Sequence, residues 1–339
     1  MEVLITGGAG FIGSNFVHYA LKARPDWTLT VVDALTYAGN MESIAEPVEA
    51  GQIEYARVDI ADASAVAETF QGKSFDLVIN FAAETHVDRS IHSASEFVRT
   101  NVMGTQILLD AVREQGRGRF VQISTDEVYG ALGPTGRFTE TTPLDPTSPY
   151  SASKAGADLV VHAFVKTHGV DAVVTRCTNN YGPYQFPEKF IPLFVTNAME
   201  DKQLPLYGDG MHVRSWIHVD DHCEAVLQVA ERGRTGEVYN VGGDEEAELP
   251  NRHVANLILQ TLRKPESLLS FVEDRLAHDR RYAVDCSKIR SELGWQPHIS
   301  FERGIVDTIE WYKSHRAWWD RIKSGEYKEY YQQHYGMSA

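Results

Sequence analysis

The first 23 residues constrain the fold more than any other stretch of the chain. Glu2–Thr6 is a short run of strand-forming residues that meets Gly7, Gly8, Gly10 and Gly13, and over residues 14–23 apolar side chains recur at helical spacing without a breaker. This reads as a strand, a glycine turn and a helix. Gly7, Gly10 and Gly13 stand three apart, and glycines so placed permit a tight turn and let a pyrophosphate approach the amides at a helix N-terminus. Asp33 follows 20 residues beyond Gly13, at the end of a second strand over residues 29–32, where a carboxylate bonds ribose hydroxyls and repels a 2′-phosphate. The pattern predicts a bound dinucleotide and favours NAD over NADP. Asp59, at the end of a third apolar stretch over residues 53–58, is a candidate adenine contact and equally a loop or cap carboxylate.

Residues 76–82, 120–124 and 172–176 are further apolar runs without in–out alternation, the pattern of strands buried on both faces. Helical stretches separate them at Ala63–Phe70, 95–114 and 150–167. Strand and helix in alternation predict an α/β fold with a doubly wound parallel sheet, the Rossmann arrangement. After about residue 177 the alternation gives way to loops rich in Pro, Gly and Asn, with helical stretches over residues 222–231 and 252–262. The expected division is an NAD-binding and catalytic domain over residues 1–176 and a smaller, lid-like C-terminal substrate-binding domain over residues 177–339, with a strand or helix free to return to the first. The aromatic and charged tail over residues 318–335 is expected to dock as a helix on the outside of the fold.

Composition narrows the function classes. A chain of 339 residues, 43% hydrophobic and 23% charged, is long enough for a large core, and no apolar run approaches the ~20 residues that a spanning helix needs. Acidic residues number 47 against 32 basic ones, and the resulting net charge of −15 opposes phosphate backbones, so no nucleic-acid or membrane partner is expected. An anionic small ligand still fits wherever a few Lys and Arg line a cleft. Cys177, Cys223 and Cys286 are widely spaced without a C-x-x-C pair, which suits a reducing cytoplasm, and no basic leader precedes the glycine turn.

A second cluster runs Ser124-Thr125-Asp126-Glu127-Val128-Tyr129-Gly130, directly after a hydrophobic strand and at the sheet edge where open α/β folds bind ligands. Adjacent carboxylates alone usually mark a solvated turn. Here Tyr150-Ser-Ala-Ser-Lys154 follows, and a phenol and an ammonium one helical turn apart share a face, so that the charge lowers the phenol's proton affinity. A glycine turn, a Ser/Thr strand end and a Tyr-x-x-x-Lys in this order and spacing are rarely accidental.

On these motifs the chain resembles the extended short-chain dehydrogenase/reductase (NAD-dependent epimerase/dehydratase) family and, within it, the dTDP-glucose 4,6-dehydratase group, over nearly its whole length. Residues 6–13, 33–40, 82–90, 124–130 and 179–189 carry the resemblance, joined by residues 206–210, Arg214 and 278–282. The Thr125-Asp126-Glu127 triplet is its subgroup-specific part: similar sugar-nucleotide epimerases lack the acid pair, and GDP-mannose dehydratases typically keep the Glu without the Asp.

The resemblance implies an NAD-dependent hydro-lyase that turns a nucleoside-diphosphate glucose, dTDP-glucose first, into its 4-keto-6-deoxy derivative. Removing water across carbons 5 and 6 needs an acidic proton at carbon 5, which a ketone at carbon 4 supplies. Tyr150, assisted by Lys154 and Thr125, would take the carbon 4 hydroxyl proton as NAD takes the hydride. Glu127 would remove the carbon 5 proton and Asp126 protonate the departing hydroxyl, roles carried over from the family, before the hydride returns to carbon 6. One acid must then be ionised and its neighbour protonated. The implied cofactor contacts are Gly7, Gly10, Phe11, Ile12, Gly13, Asp33, Thr36, Asp59, Ile60, Ala82, Ala83, Thr100, Tyr150, Lys154 and Asn180. The implied substrate contacts are Thr85, Thr125, Asn179, Lys189, Phe190, Pro205, Tyr207, Arg214, Asn240, His278 and Tyr282, with Lys189 and Arg214 facing the diphosphate.

Three positions depart from the family pattern: Ser215 where Asp is usual, Ala277 where Gly is usual and Thr85 where Ser is usual. They leave open a different nucleotide or sugar, and a 4-epimerase or another nucleotide-sugar dehydratase is the nearest alternative; a non-catalytic NAD sensor would have no reason to keep Tyr150, Lys154, Asp126 and Glu127 together. His218, His222 and Cys223 stand close in sequence but read as structural residues at a loop-to-helix junction, and no metal is expected. The helix over residues 150–167 is apolar nearly all round, which predicts a homodimer built on it and on residues 95–114, with Val161 and Phe164 as contacts.

Overall fold

Val, Leu and Ile at residues 3–5 leave β1 (Glu2–Thr6) without a polar face, and it lies inside a parallel sheet rather than at its rim. The computed structural model describes residues 1–274 and 278–323. With β2 (Thr28–Asp33), β3 (Ile53–Arg57), β4 (Leu77–Asn80), β5 (Arg119–Thr125) and β6 (Ala172–Cys177), β1 builds six of the sheet's seven strands. The chain then forms β7 (Asn179–Tyr181), β8 (Leu204–Tyr207), β9 (Val213–His218), β10 (Val238–Val241), β11 (Glu248–Pro250) and β12 (Leu269–Val272). β10 returns to complete the order β10-β6-β5-β4-β1-β2-β3, with every pairing parallel. The order reverses between β1 and β4, and the crevice at such a switch point is where open α/β sheets hold ligands.

The central strands are not wholly apolar. Thr6 donates to Asn80 at 2.6 Å and the Asn80 amide donates to Gln122 at 2.9 Å, a buried chain of polar groups that ties β1, β4 and β5 in register. One face of the sheet is covered by the helices Phe11–Ala23 and Val219–Arg232, the other by Ala63–Phe70, Thr105–Gln115 and Pro149–His168. The predicted helix over 95–114 is real but interrupted: a π-helical segment, Val98–Gly104, precedes Thr105–Gln115, and Gly104 lets the segment pass close against Ile60.

A second core gathers the helices Phe190–Met199, Asn251–Leu262 and Phe301–Ser314 with β7-β9-β11 and β8-β12. The described part of the aromatic tail, Arg316–Lys323, is part of this core rather than an outer layer. Trp319 is fully buried and its indole donates to the Tyr312 carbonyl at 2.8 Å. Residues 324–335 of the tail lie outside the described residues. No helix among the described residues is long and apolar enough to cross a membrane.

Candidate active site

The glycine turn after β1 is a cradle that side chains would fill. Gly7 has φ +67°, and a Cβ there would sit 2.5 Å from the Ala82 amide nitrogen; one at Gly13 would sit 2.1 Å from the Gly7 carbonyl oxygen. The helix Phe11–Ala23 begins at Gly10 without a side-chain cap, so its first-turn amides are left to an anionic ligand. At the end of β2, Asp33 is buried and accepts from the Ala9 and Leu35 amides at 2.9 and 2.8 Å. Burial raises its carboxyl above the usual range, against the pull of those backbone donors.

These groups open onto a cavity of about 350 Å³. Gly7, Gly10, Phe11, Ile12, Gly13, Asp33, Thr36, Asp59, Ile60, Ala82, Ala83, Thr100, Tyr150, Lys154 and Asn180, the expected cofactor contacts, all line it. Asp59 pairs there with Arg99 at 2.7 Å. A glycine cradle, an uncapped helix end and a carboxylate at the end of β2 fit a dinucleotide.

β5 delivers the acids. Thr125 caps the short turn Asp126–Tyr129: its hydroxyl oxygen accepts from the Glu127 amide, and its hydrogen reaches Asp126 Oδ1, both at 3.3 Å. Asp126 is buried, and its Oδ2 has no partner among the described residues. Burial, then the adjacent Glu127 carboxylate, push its pKa up to about 8, with Arg214 opposing. Asp126 therefore carries a proton at neutral pH. Glu127 lines both the cofactor cavity and a second, neighbouring one of about 220 Å³.

The helix Pro149–His168 starts on a Ser148–Ser151 capping box with Pro149 in its first turn, which fixes where Tyr150 and Lys154 stand. Both are buried and line the cofactor cavity. The expected lowering of the phenol is not what this arrangement gives. Lys154 donates to the Ile123 carbonyl at 2.7 Å, while burial and the Glu127 carboxylate push the Tyr150 phenol well above its ordinary value. Burial alone also lowers the Lys154 ammonium.

Thr85, Asn179, Lys189, Phe190, Pro205, Tyr207, Arg214, His278 and Tyr282 line the second cavity, and Thr125 lines the first. The Arg214 guanidinium lies over the Tyr282 ring at 4.5 Å in the second cavity, and Lys189 borders both cavities. Asn240 is the exception. It lines neither cavity: its carbonyl oxygen accepts from Tyr129 at 2.8 Å and its amide donates to the Phe138 carbonyl at 3.0 Å. Its side chain locks β10 to neighbouring loops and does not reach the site.

The sequence reading missed Glu188 and His86, which both line the second cavity. Glu188 is buried with Oε2 3.6 Å from His86 and Oε1 3.8 Å from Lys189, and burial raises its carboxyl. The available signal was an acid directly beside the expected cation Lys189. Among the departures, Thr85 stands in the site. Ser215 does not: β9 sends Arg214 and Trp216 to the cavity and turns Ser215 to the other face, opposite Glu248. Ala277 lies outside the described residues.

His218, His222 and Cys223 do not converge. His218 Nδ1 accepts from the Asp220 amide as a helix cap, and Cys223 is buried in the core. The grouping among the described residues is instead His212, Asp274 and His278. The two rings stack at 3.7 Å, and each meets a different oxygen of Asp274, at 3.3 and 2.6 Å. Imidazoles that share one ion fan away from it, whereas these lie face to face, held by the carboxylate.

The family model described as GDP-mannose 4,6 dehydratase matches residues 4–308. A dTDP-glucose 4,6-dehydratase from Streptomyces niveus is 50% identical over 328 residues, 96% of each chain. One from Streptomyces antibioticus is 51% identical over 328 residues, 95% of this chain and 96% of its own. The crystal structure of DesIV, a dTDP-glucose 4,6-dehydratase from Streptomyces venezuelae with NAD and TYD bound, superimposes with a TM-score of 0.91 at 50% identity, covering 95% of this chain and all of its own.

Proposed function

Because the chain belongs to the GDP-mannose 4,6-dehydratase family, we propose from that premise that it is a hydro-lyase converting dTDP-glucose into dTDP-4-keto-6-deoxyglucose and water, with NAD as cofactor. The observation that carries the reading is the unequal pair at the end of β5. Asp126, sealed from solvent, holds a proton near neutrality, while its neighbour Glu127 faces both cavities. An elimination needs an acid and a base on one substrate, and differing environments separate the two.

NAD, when bound, supplies a reversible hydride store. Tyr150, with Thr125 and Lys154 beside it, takes the proton from the carbon 4 hydroxyl. Glu127 removes the carbon 5 proton once carbon 4 is a ketone, Asp126 gives its proton to the hydroxyl leaving carbon 6, and return of the hydride to carbon 6 with a proton to carbon 5 completes the 4-keto-6-deoxy product. Arg214 and Lys189 hold the diphosphate so that the sugar spans the two cavities. Incubation with dTDP-glucose and, separately, UDP-glucose tests this: a 4-keto-6-deoxy product from the first is expected, and an epimer or no product from either overturns it. Denaturing the purified protein should release NAD; release of NADP alone would refute the role of Asp33.

We also infer a homodimer. On the helix Pro149–His168 the exposed apolar positions are Ala152, Leu159 and Ala163, with Leu159 60% exposed, and beside it stand Val98 (52%) and Met103 (40%). Val161, an expected contact, is 2% exposed and belongs to the sheet core, and Phe164 packs against the same core. Leu159→Arg with Val98→Glu should yield a folded monomer by light scattering, and a wild-type monomer at micromolar concentration would refute the interface.

A further inference from the structure

Asn180 lines both cavities, and its amide is held from two sides. Its Nδ2 donates to the Thr178 carbonyl at 3.0 Å, which turns Oδ1 toward His222 Nδ1, 2.8 Å away. A carbonyl oxygen only accepts, so His222 must carry its proton on Nδ1 and leave Nε2 bare. Nε2 is buried and has no partner among the described residues, consistent with a neutral ring that burial pushes down to about 3.

The cost of this arrangement points to its purpose. His222 stands on the helix Val219–Arg232 among Cys223, Ala225 and Val226, where an apolar side chain would pack without leaving a ring nitrogen unpaired. The single bond it makes is to a residue of the cavity wall. The two ends of a primary amide are nearly the same size, and without a donor at Oδ1 the Asn180 amide is free to turn over and present the wrong polarity.

We propose that His222 is a positioning residue for cofactor binding, fixing the amide of Asn180 from the side away from the ligand. The inference rests on the reading of the larger cavity as the NAD site. In protein stripped of NAD and titrated with it, His222→Leu should raise the NAD dissociation constant about tenfold, the weight of one hydrogen bond to a buried group. His222→Asn, whose amide N–H overlays Nδ1, should restore binding to within about threefold. In an Asn180→Ala background, His222→Leu should add less than about twofold, since the coupling has no partner left.

Unchanged NAD affinity in His222→Leu together with a lowered melting temperature would make His222 a core residue only and overturn the proposal, as would losses that multiply in the double variant. Nitrogen-15 spectra of the NAD-bound wild type give a readout that needs no variant to fold: an Nδ1–H tautomer is expected, and an Nε2–H tautomer overturns the assignment. A wild type that binds no NAD refutes the functional reading instead, so the two failures are distinguishable.

Discussion

The cofactor side and the nucleotide side of this site are built in opposite ways. Gly7, Asp33, Ala82, Thr125 and Cys177 stand at or just beyond the carboxyl ends of successive strands of one parallel sheet, so each reaches the cavity through its own local geometry. The second cavity takes Lys189 from a loop after β7, Tyr207 from the end of β8, Arg214 from β9 and Tyr282 from a loop that Val213 bridges through Arg281. A strand end places a side chain whatever lies far away in sequence. A wall made of separate loops and short strands exists only after the second core has formed. On the proposed assignment, chemistry is thus fixed by the sheet, and recognition of the nucleotide by packing elsewhere.

The sharpest way to break this contrast is to remove the acids. Glu127→Gln and Asp126→Asn should each lower turnover by about 100-fold or more, the scale of general acid–base assistance. They should fail at different steps. With Glu127→Gln, NADH absorbance should appear on mixing while solvent deuterium stays out of carbon 5; with Asp126→Asn, exchange at carbon 5 should survive while loss of the carbon 6 hydroxyl slows. Equal exchange in both would show that the pair only positions the sugar. The pH dependence follows from the same burial. Wild-type elimination should fall as pH rises through about 8, because Asp126 loses the proton it must donate. A carboxyl raised from 3.8 in this way also drains stability as pH climbs from its ordinary value toward about 8. Asp126→Asn should therefore melt higher than wild type near pH 8, and the gain should vanish toward pH 4, as thermal scans across that range would record.

The same contrast explains what was legible in the sequence. The glycine spacing, Asp33, the acid pair and Tyr150–Lys154 are local patterns, and each was placed before any contact was known. Asp126's raised proton affinity was not legible, since it depends chiefly on burial, and on how far the opposing charge of Arg214, far away in sequence, falls short of cancelling it. Glu188 was overlooked because an acid beside a lysine looks like a surface pair, whereas its side chain is 1% exposed. The return of β10 was left as a bare allowance, since Val238–Val241 is too short to announce a strand. Val161 was expected on an outer face and lies in the sheet core instead, because apolar content does not tell which side of a helix meets the sheet.

On the nucleotide side the expected effect is smaller and of a different kind. Arg214→Met keeps the contact with Tyr282 but removes the charge, and Lys189→Met removes the charge that borders both cavities. Each should raise the KM for dTDP-glucose by about tenfold or more, the weight of a charge-assisted bond of ~1.5–3 kcal/mol, with a lesser effect on kcat. A variant whose kcat falls while KM holds would move the residue to the chemical side.

Asn240 supplies the smallest effect on catalysis and the cleanest test of the division. Its side chain bonds Tyr129 and the Phe138 carbonyl, with a longer contact to the Asp285 carbonyl at 3.4 Å, and none of these faces a cavity. Removing it strands buried partners, so Asn240→Ala should cost about 1–3 kcal/mol of stability for each polar group left unpaired. Because β10 pairs with β6, whose last residue Cys177 borders the cofactor cavity, a shift of the strand would first be felt on the NAD side. The KM for dTDP-glucose should stay within about twofold of wild type, far below the change expected for a lost substrate hydrogen bond. A tenfold rise in that KM with an unchanged melting temperature would place Asn240 against the substrate after all, and would show that β10 reaches across from the sheet into nucleotide recognition.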